Sequence, residues 1–125
     1  MGKIYSIRGA TTADCDDAKA ITESTVELIA EMKKYIDFSV ARAVNIFITT
    51  TADITAFYPA RAIRESGLLD GCPLFSALEP PISGSLQKCI RVMLTIDTED
   101  ENFAPKHIYL KGAAALRPDL SGRNK

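Results

Sequence analysis

The stretch from Lys88 to Ile96 (KCIRVMLTI) constrains the fold more than any other part of the chain. Read with a period of two, Lys88, Ile90, Val92, Leu94 and Ile96 fall on one face, and Cys89, Arg91, Met93 and Thr95 on the other. Its β-branched and aliphatic residues specify a strand rather than a helix, one that should be largely buried. Arg91 is the exception within it. A buried guanidinium without a counter-charge is very costly. Arg91 therefore requires an anion, either a carboxylate of the protein or one carried by a ligand.

Size and charge narrow the function classes. A chain of 125 residues forms one domain with a real core. With 46% hydrophobic and 25% charged residues it has the make-up of a soluble globular protein. A formal net charge of −1 leaves no basic footprint for nucleic acid or an acidic membrane. No apolar run approaches a membrane span, and the opening MGKIYSIRG lacks the layout of a signal peptide. Cys15, Cys72 and Cys89 form no CxxC pair, and with a single histidine they argue against a zinc site. The expectation is a cytoplasmic protein with free thiols.

Along the chain, Lys3 to Ile7 alternates as a first strand, and Arg8 to Thr12 reads as a polar turn with an arginine at the strand end. Thr11 or Thr12 is expected to cap a helix whose start is favoured by Asp14, Asp16 and Asp17. Ile21, Thr25, Leu28, Ile29, Met32 and Ile36 recur at three and four residues and make one apolar helical stripe. Ala43 to Thr51 is a near-continuous β-branched and apolar run, suited to a central strand. Pro59 opens a short helix that Gly67 ends. Pro73 to Leu78 is a strand that Glu79-Pro80-Pro81 breaks, and Ser83-Gly84-Ser85 turns into the central strand. Asp97 to Glu101 is an acidic loop without metal-loop spacing. His107 to Leu110 resumes strand character, which Lys111 to Leu116 extends. The order predicts an α/β chain (α+β in detail): a mixed sheet with helices on one side. Its spare face is most simply covered by another subunit.

No GxGxxG, P-loop or GxSxG occurs, and His107 has no serine or cysteine partner in sequence. What remains is arginine, at Arg8, Arg91 and Arg117, with Glu79, Tyr109 and the pair Arg61 and Arg64 on one short helix. For that pair a solvated helix face is the alternative. Several arginines with few titrating partners suit a small di-anion carrying carboxylates. They equally suit charge that develops in a reaction without proton transfer.

Five segments, IRGATT (Ile7 to Thr12), YPARAIRE (Tyr58 to Glu65), KCIRVMLT (Lys88 to Thr95), HIYL (His107 to Leu110) and ALRPDLS (Ala115 to Ser121), closely resemble the monofunctional chorismate mutases of the trimeric AroH class, in that family's order and spacing. The resemblance covers nearly the whole chain. Chain length and the polar run from Pro118 onward give the expectation of a single domain over residues 1–117 with a mobile tail at 118–125. The resemblance implies a homotrimer whose sheets form a pseudo-α/β-barrel with active sites at the subunit interfaces. The implied reaction is the Claisen rearrangement of chorismate to prephenate in phenylalanine and tyrosine biosynthesis, with no cofactor and no metal.

The resemblance also implies roles. Arg91 matches the donor to the breaking ether oxygen, Arg8 a carboxylate-binding arginine, and Glu79 the acceptor of the ring hydroxyl that balances Arg91. Tyr109 matches the tyrosine at the enolpyruvyl carboxylate, Tyr58, Ala60 and Arg61 wall and rim positions, and Arg64 and Arg117 arginines near the entrance. Leu74 and Leu116 match apolar lining. The chain departs from the pattern at Ser76, where the best-known members carry cysteine, at the bulkier Phe75, at Pro80-Pro81, and at Arg61, where lysine is more familiar. A non-catalytic carboxylate-binding trimer and an imine deaminase of the Rid type are the alternatives on similar scaffolds.

Overall fold

The computed structural model describes residues 2–116. Arg117 and the segment 118–125 lie outside the described residues. Five strands form one sheet: β1 (Lys3–Thr12), β2 (Ala41–Thr50), β3 (Leu74–Leu78), β4 (Cys89–Thr98) and β5 (Ile108–Tyr109). Their order is β3-β2-β4-β1-β5, so the segment around Arg91 lies at the centre. β4 runs antiparallel to both neighbours, while β3 joins β2 and β5 joins β1 in parallel. The register sets Ala10 and Thr49 opposite Arg91, and Arg8 and Phe47 opposite Met93.

Two helices cover one face. α1 (Ala18–Lys33) and α2 (Pro59–Ser66) bury Ile21, Leu28, Ile29, Met32 and Ile63 against Ile7, Ile46, Ile48, Ile90, Leu94 and Ile96 of the sheet. Each such side chain contributes about 1.5–3 kcal/mol when fully buried. Gly9 lets α1 come close, because a Cβ there would lie 2.5 Å from the Met32 sulfur. α2 starts at Pro59 and ends at Gly67, which takes the left-handed conformation (φ 72°) and returns its N–H to the Arg64 carbonyl. Among the described residues no helix is long and apolar enough to cross a membrane.

Three local expectations are corrected. β1 runs on through Arg8 to Thr12, because those residues pair with β4 along its whole length. The cap of α1 is Asp17, whose carboxylate accepts from the Ala20 N–H at 2.7 Å, not Thr11 or Thr12, which stay in the strand. Lys111–Ala115 is a short 3-10 helix rather than more strand, entered through Lys111 at φ 53°.

Asp16 has a tying role. Its carboxylate accepts the N–H groups of Thr55 and Ala56 at 2.9 and 3.0 Å and the Thr55 hydroxyl, joining the approaches to α1 and α2. The Thr55 hydroxyl bond, then the two backbone bonds, hold its pKa below the ordinary value. A depressed folded-state pKa contributes stability that is whole above the unfolded value of about 3.9 and is lost as pH falls through the folded value. Asp16→Asn is therefore expected to lower the melting temperature at neutral pH and to make its decline below about pH 4 shallower. Circular-dichroism melts of both proteins across that range check it, and parallel acid limbs would count against the tie.

The second face of the sheet is bare. Phe47, Phe75 and Met93 stand there 51%, 67% and 43% exposed, with the two phenylalanine rings edge to face at 5.9 Å. Arg91 belongs to this face and its side chain is 46% exposed, so in one chain it is less buried than its central strand suggests.

Candidate active site

The bare face carries a cavity of about 510 Å³ lined by Arg8, Ala10, Phe47, Thr49, Arg91, Met93, Tyr109 and Leu116. Strand alternation explains the set: residues directly opposite one another in register project to the same side. Ala10, Thr49 and Arg91 are one such row, and β5 adds Tyr109 opposite Ala10. Leu116 arrives by a separate route. Leu110 donates its N–H to Ala10, Gly112 donates its N–H to the Thr12 hydroxyl, and Lys111 reaches Ser24 at 3.1 Å. These bonds hold the 3-10 helix at the end of which Leu116 follows.

Glu79 supplies the anion that Arg91 requires. Its Oε2 lies 3.0 Å from Arg91 Nε and also accepts the Thr49 hydroxyl at 2.5 Å. The main chain of Glu79 is fixed by its N–H on the Thr50 carbonyl at 2.9 Å. Pro80-Pro81 thus follows a residue that is tied on both backbone and side chain. Arg8 is anchored through its main chain, whose N–H donates to His107 Nδ1 at 2.9 Å. Two guanidiniums against one carboxylate leave the cavity with a surplus positive charge, as an anionic ligand would need.

Cys89 lies on the same face and is fully buried. Burial, with help from Glu79 and opposed by Arg91, pushes its thiol pKa up. A protonated, enclosed thiol is a poor nucleophile. Among the described residues no group of three His, Cys, Asp or Glu could hold a metal ion.

The remaining residues expected at the site lie elsewhere on the chain. Tyr58, Arg61 and Ser76 line a second cavity, also about 510 Å³, which shares no lining residue with the first. Tyr58, Ala60, Arg61 and Arg64 line an adjoining hollow. Register accounts for the separation, since Ser76 pairs with Ile48 and Leu74 with Ile46, both of which point to the helix side. Leu74 packs against the core. Phe75, one residue on, belongs to the bare face with Phe47. Arg61 is steadied by Glu65 at 2.8 Å and by the Phe57 ring at 5.3 Å. Arg117 lies outside the described residues. Sequence reasoning missed Thr49, Phe47 and Met93, whose place in the cavity follows only from the register of β2 on β4.

Fold and cavity together define a class: a mixed-sheet α+β protein with an arginine-lined cavity built on strands. Comparison makes the class specific. The family model for chorismate mutase type I matches residues 4–120. The chorismate mutase AroH of Bacillus subtilis (strain 168) is 35% identical over 118 residues, covering 94% of this chain and 93% of that protein. The chorismate mutase AroH of Thermus thermophilus is 37% identical over 118 residues, covering 94% and 96%. A solved structure of a chorismate mutase from Clostridium thermocellum aligns with a TM-score of 0.79 at 35% identity, covering 89% of this chain and 98% of that one. The chain belongs to the chorismate mutase type I family.

Proposed function

We propose that this protein is a chorismate mutase, converting chorismate to prephenate as a homotrimer whose active sites lie between subunits. The observation that carries the reading is Arg91 in a cavity it shares with Arg8 and Tyr109, its Nε 3.0 Å from Glu79 Oε2. In the rearrangement the ether C–O bond breaks as a C–C bond forms, electrons move around a ring, and no proton is transferred. Charge builds on the ether oxygen, and a guanidinium already in place stabilises it without reorganising. Arg8 holds a carboxylate and Tyr109 the enolpyruvyl carboxylate, which keeps the substrate in its reactive conformer and lowers the entropic part of the barrier. Glu79 keeps an oxygen for the ring hydroxyl. Leu116 supplies an apolar wall.

The two separate groups of residues support the trimer. In one chain, Tyr58, Ala60, Arg61, Arg64 and Ser76 cannot line the cavity that holds Arg91. A neighbouring subunit brings them to it, and the same contact covers the exposed Phe47, Phe75 and Met93. Ser76 then offers a hydroxyl to the substrate where relatives of the AroH class offer a thiol, a change that preserves a hydrogen bond. On this reading the protein works in aromatic amino-acid biosynthesis, in the cytoplasm.

The test is an assay of purified protein with chorismate, with and without a chelator, following substrate loss and identifying the product. Conversion to prephenate that the chelator leaves unchanged is the expected result. A folded trimer that binds a dicarboxylate but leaves chorismate intact would overturn the proposal in favour of a binding protein.

A further inference from the structure

Resting on the mutase reading, we infer that Thr49 is a positioning residue for the reaction: its hydroxyl, acting through Glu79, fixes the aim of Arg91. Oε2 of Glu79 accepts the Thr49 hydroxyl at 2.5 Å and lies 3.0 Å from Arg91 Nε in an ion pair. The hydroxyl bond and the ion pair, both on this one oxygen, set the rotation of the carboxylate. The hydroxyl bond and the ion-pair contact both use Oε2, which on this reading leaves Oε1 of Glu79 and the terminal nitrogens of Arg91 to face substrate.

Without the Thr49 hydroxyl, Glu79 would be free to swing and take Arg91 in a bidentate fork, the geometry that guanidinium and carboxylate prefer. That fork would engage a terminal nitrogen of Arg91 and both oxygens of Glu79, the atoms that substrate needs. Thr49 prevents it from the neighbouring strand, directly opposite Arg91 in register. The backbone bond from Glu79 to Thr50 places the carboxylate within its reach.

A purely structural Thr49 would behave differently. Valine has the same shape, is at least as good a strand residue, and lacks only the hydroxyl. If Thr49 served the sheet alone, Thr49→Val would keep both stability and turnover. The inference expects Thr49→Val to lower kcat about tenfold, the effect of losing one hydrogen bond to a charged group, with KM changed less than about twofold. Thr49→Ser, which keeps the hydroxyl, is expected to restore turnover to within about twofold of the original protein.

The experiment is steady-state kinetics of the full chain and both variants with chorismate, beside melting temperature and oligomeric state. A cycle with Glu79→Gln completes it. Because Thr49 acts through Glu79, Thr49→Val should cost little more once Glu79 has been changed. Unchanged kcat in Thr49→Val, equal losses in the Ser and Val variants, or additive losses in the cycle would each overturn the inference while leaving the mutase reading intact. Should Thr49→Val fail to fold, Thr49→Ala takes its place in the cycle. Failure of both to fold would make Thr49 structural and overturn the inference. An inactive original protein would overturn the mutase reading and this inference with it.

Discussion

Arg91→Ala is expected to lower kcat by about 10²–10³-fold, the effect of removing one preorganised donor from a developing oxyanion, about 2.7–4 kcal/mol of barrier. Arg91→Lys is expected to fall nearly as far. An ammonium keeps the charge, but a single compact group cannot pair with Glu79 and reach the ether oxygen at once. KM should rise much less than kcat falls, since the lost contact strengthens in the transition state. Magnitudes separate this from a purely structural role for Arg91. The Arg91–Glu79 pair has side chains 46% and 17% exposed, and partly exposed pairs contribute only about 0–1 kcal/mol to stability. A structural Arg91 would therefore show a small drop in melting temperature and unchanged turnover. Steady-state kinetics and thermal melts on the same preparations distinguish the two. Equal, small losses of binding and turnover would remove Arg91 from the role of transition-state donor.

How much of this was legible beforehand differs between fold and site. The strand around Arg91 and the stripe on α1 were readable because alternation and helical spacing write burial directly into residue order. Pro59 and Gly67 marked the ends of α2 for steric reasons that hold in any context. The reading failed where long-range pairing overrode local composition. Arg8 to Thr12 looks like a polar turn, yet it is strand because β4 offers ten consecutive partners to β1. The 3-10 helix after Leu110 depends on Thr12 and Ser24, neither of which is near it in sequence. At the site, Arg8, Arg91 and Tyr109 were chemically conspicuous, and the structure brings them to one cavity. Thr49 was not. A threonine in a β-branched run is ordinary until register sets it opposite Arg91.

Mixing two crippled subunits is expected to restore activity that neither has alone. Arg91→Ala removes the donor from the cavity on the bare face, whereas Arg61→Glu places a negative charge on α2, beside the other cavity. Arg61→Glu should lower kcat/KM at least about tenfold, because a carboxylate replaces a cation near a dicarboxylate substrate. It should leave the fold intact, since Arg61 is exposed and, among the described residues, its ion pair is the surface contact with Glu65. If each active site takes Arg91 from one subunit and Arg61 from the next, random hybrid trimers of equal amounts carry about a quarter of their sites fully intact. Subunits unfolded together and refolded should then reach roughly a quarter of the original kcat/KM, above the tenth or less kept by Arg61→Glu and well above Arg91→Ala. If all the residues belonged to one chain's site, every site would carry one defect or the other, and the mixture would show only the average of the two parents. Separately refolded variants, mixed afterwards without exchange, provide the baseline. Recovery would also explain why the residues around Arg61 and Ser76 sit across the sheet from Arg91: they face outward to serve the neighbouring subunit's site.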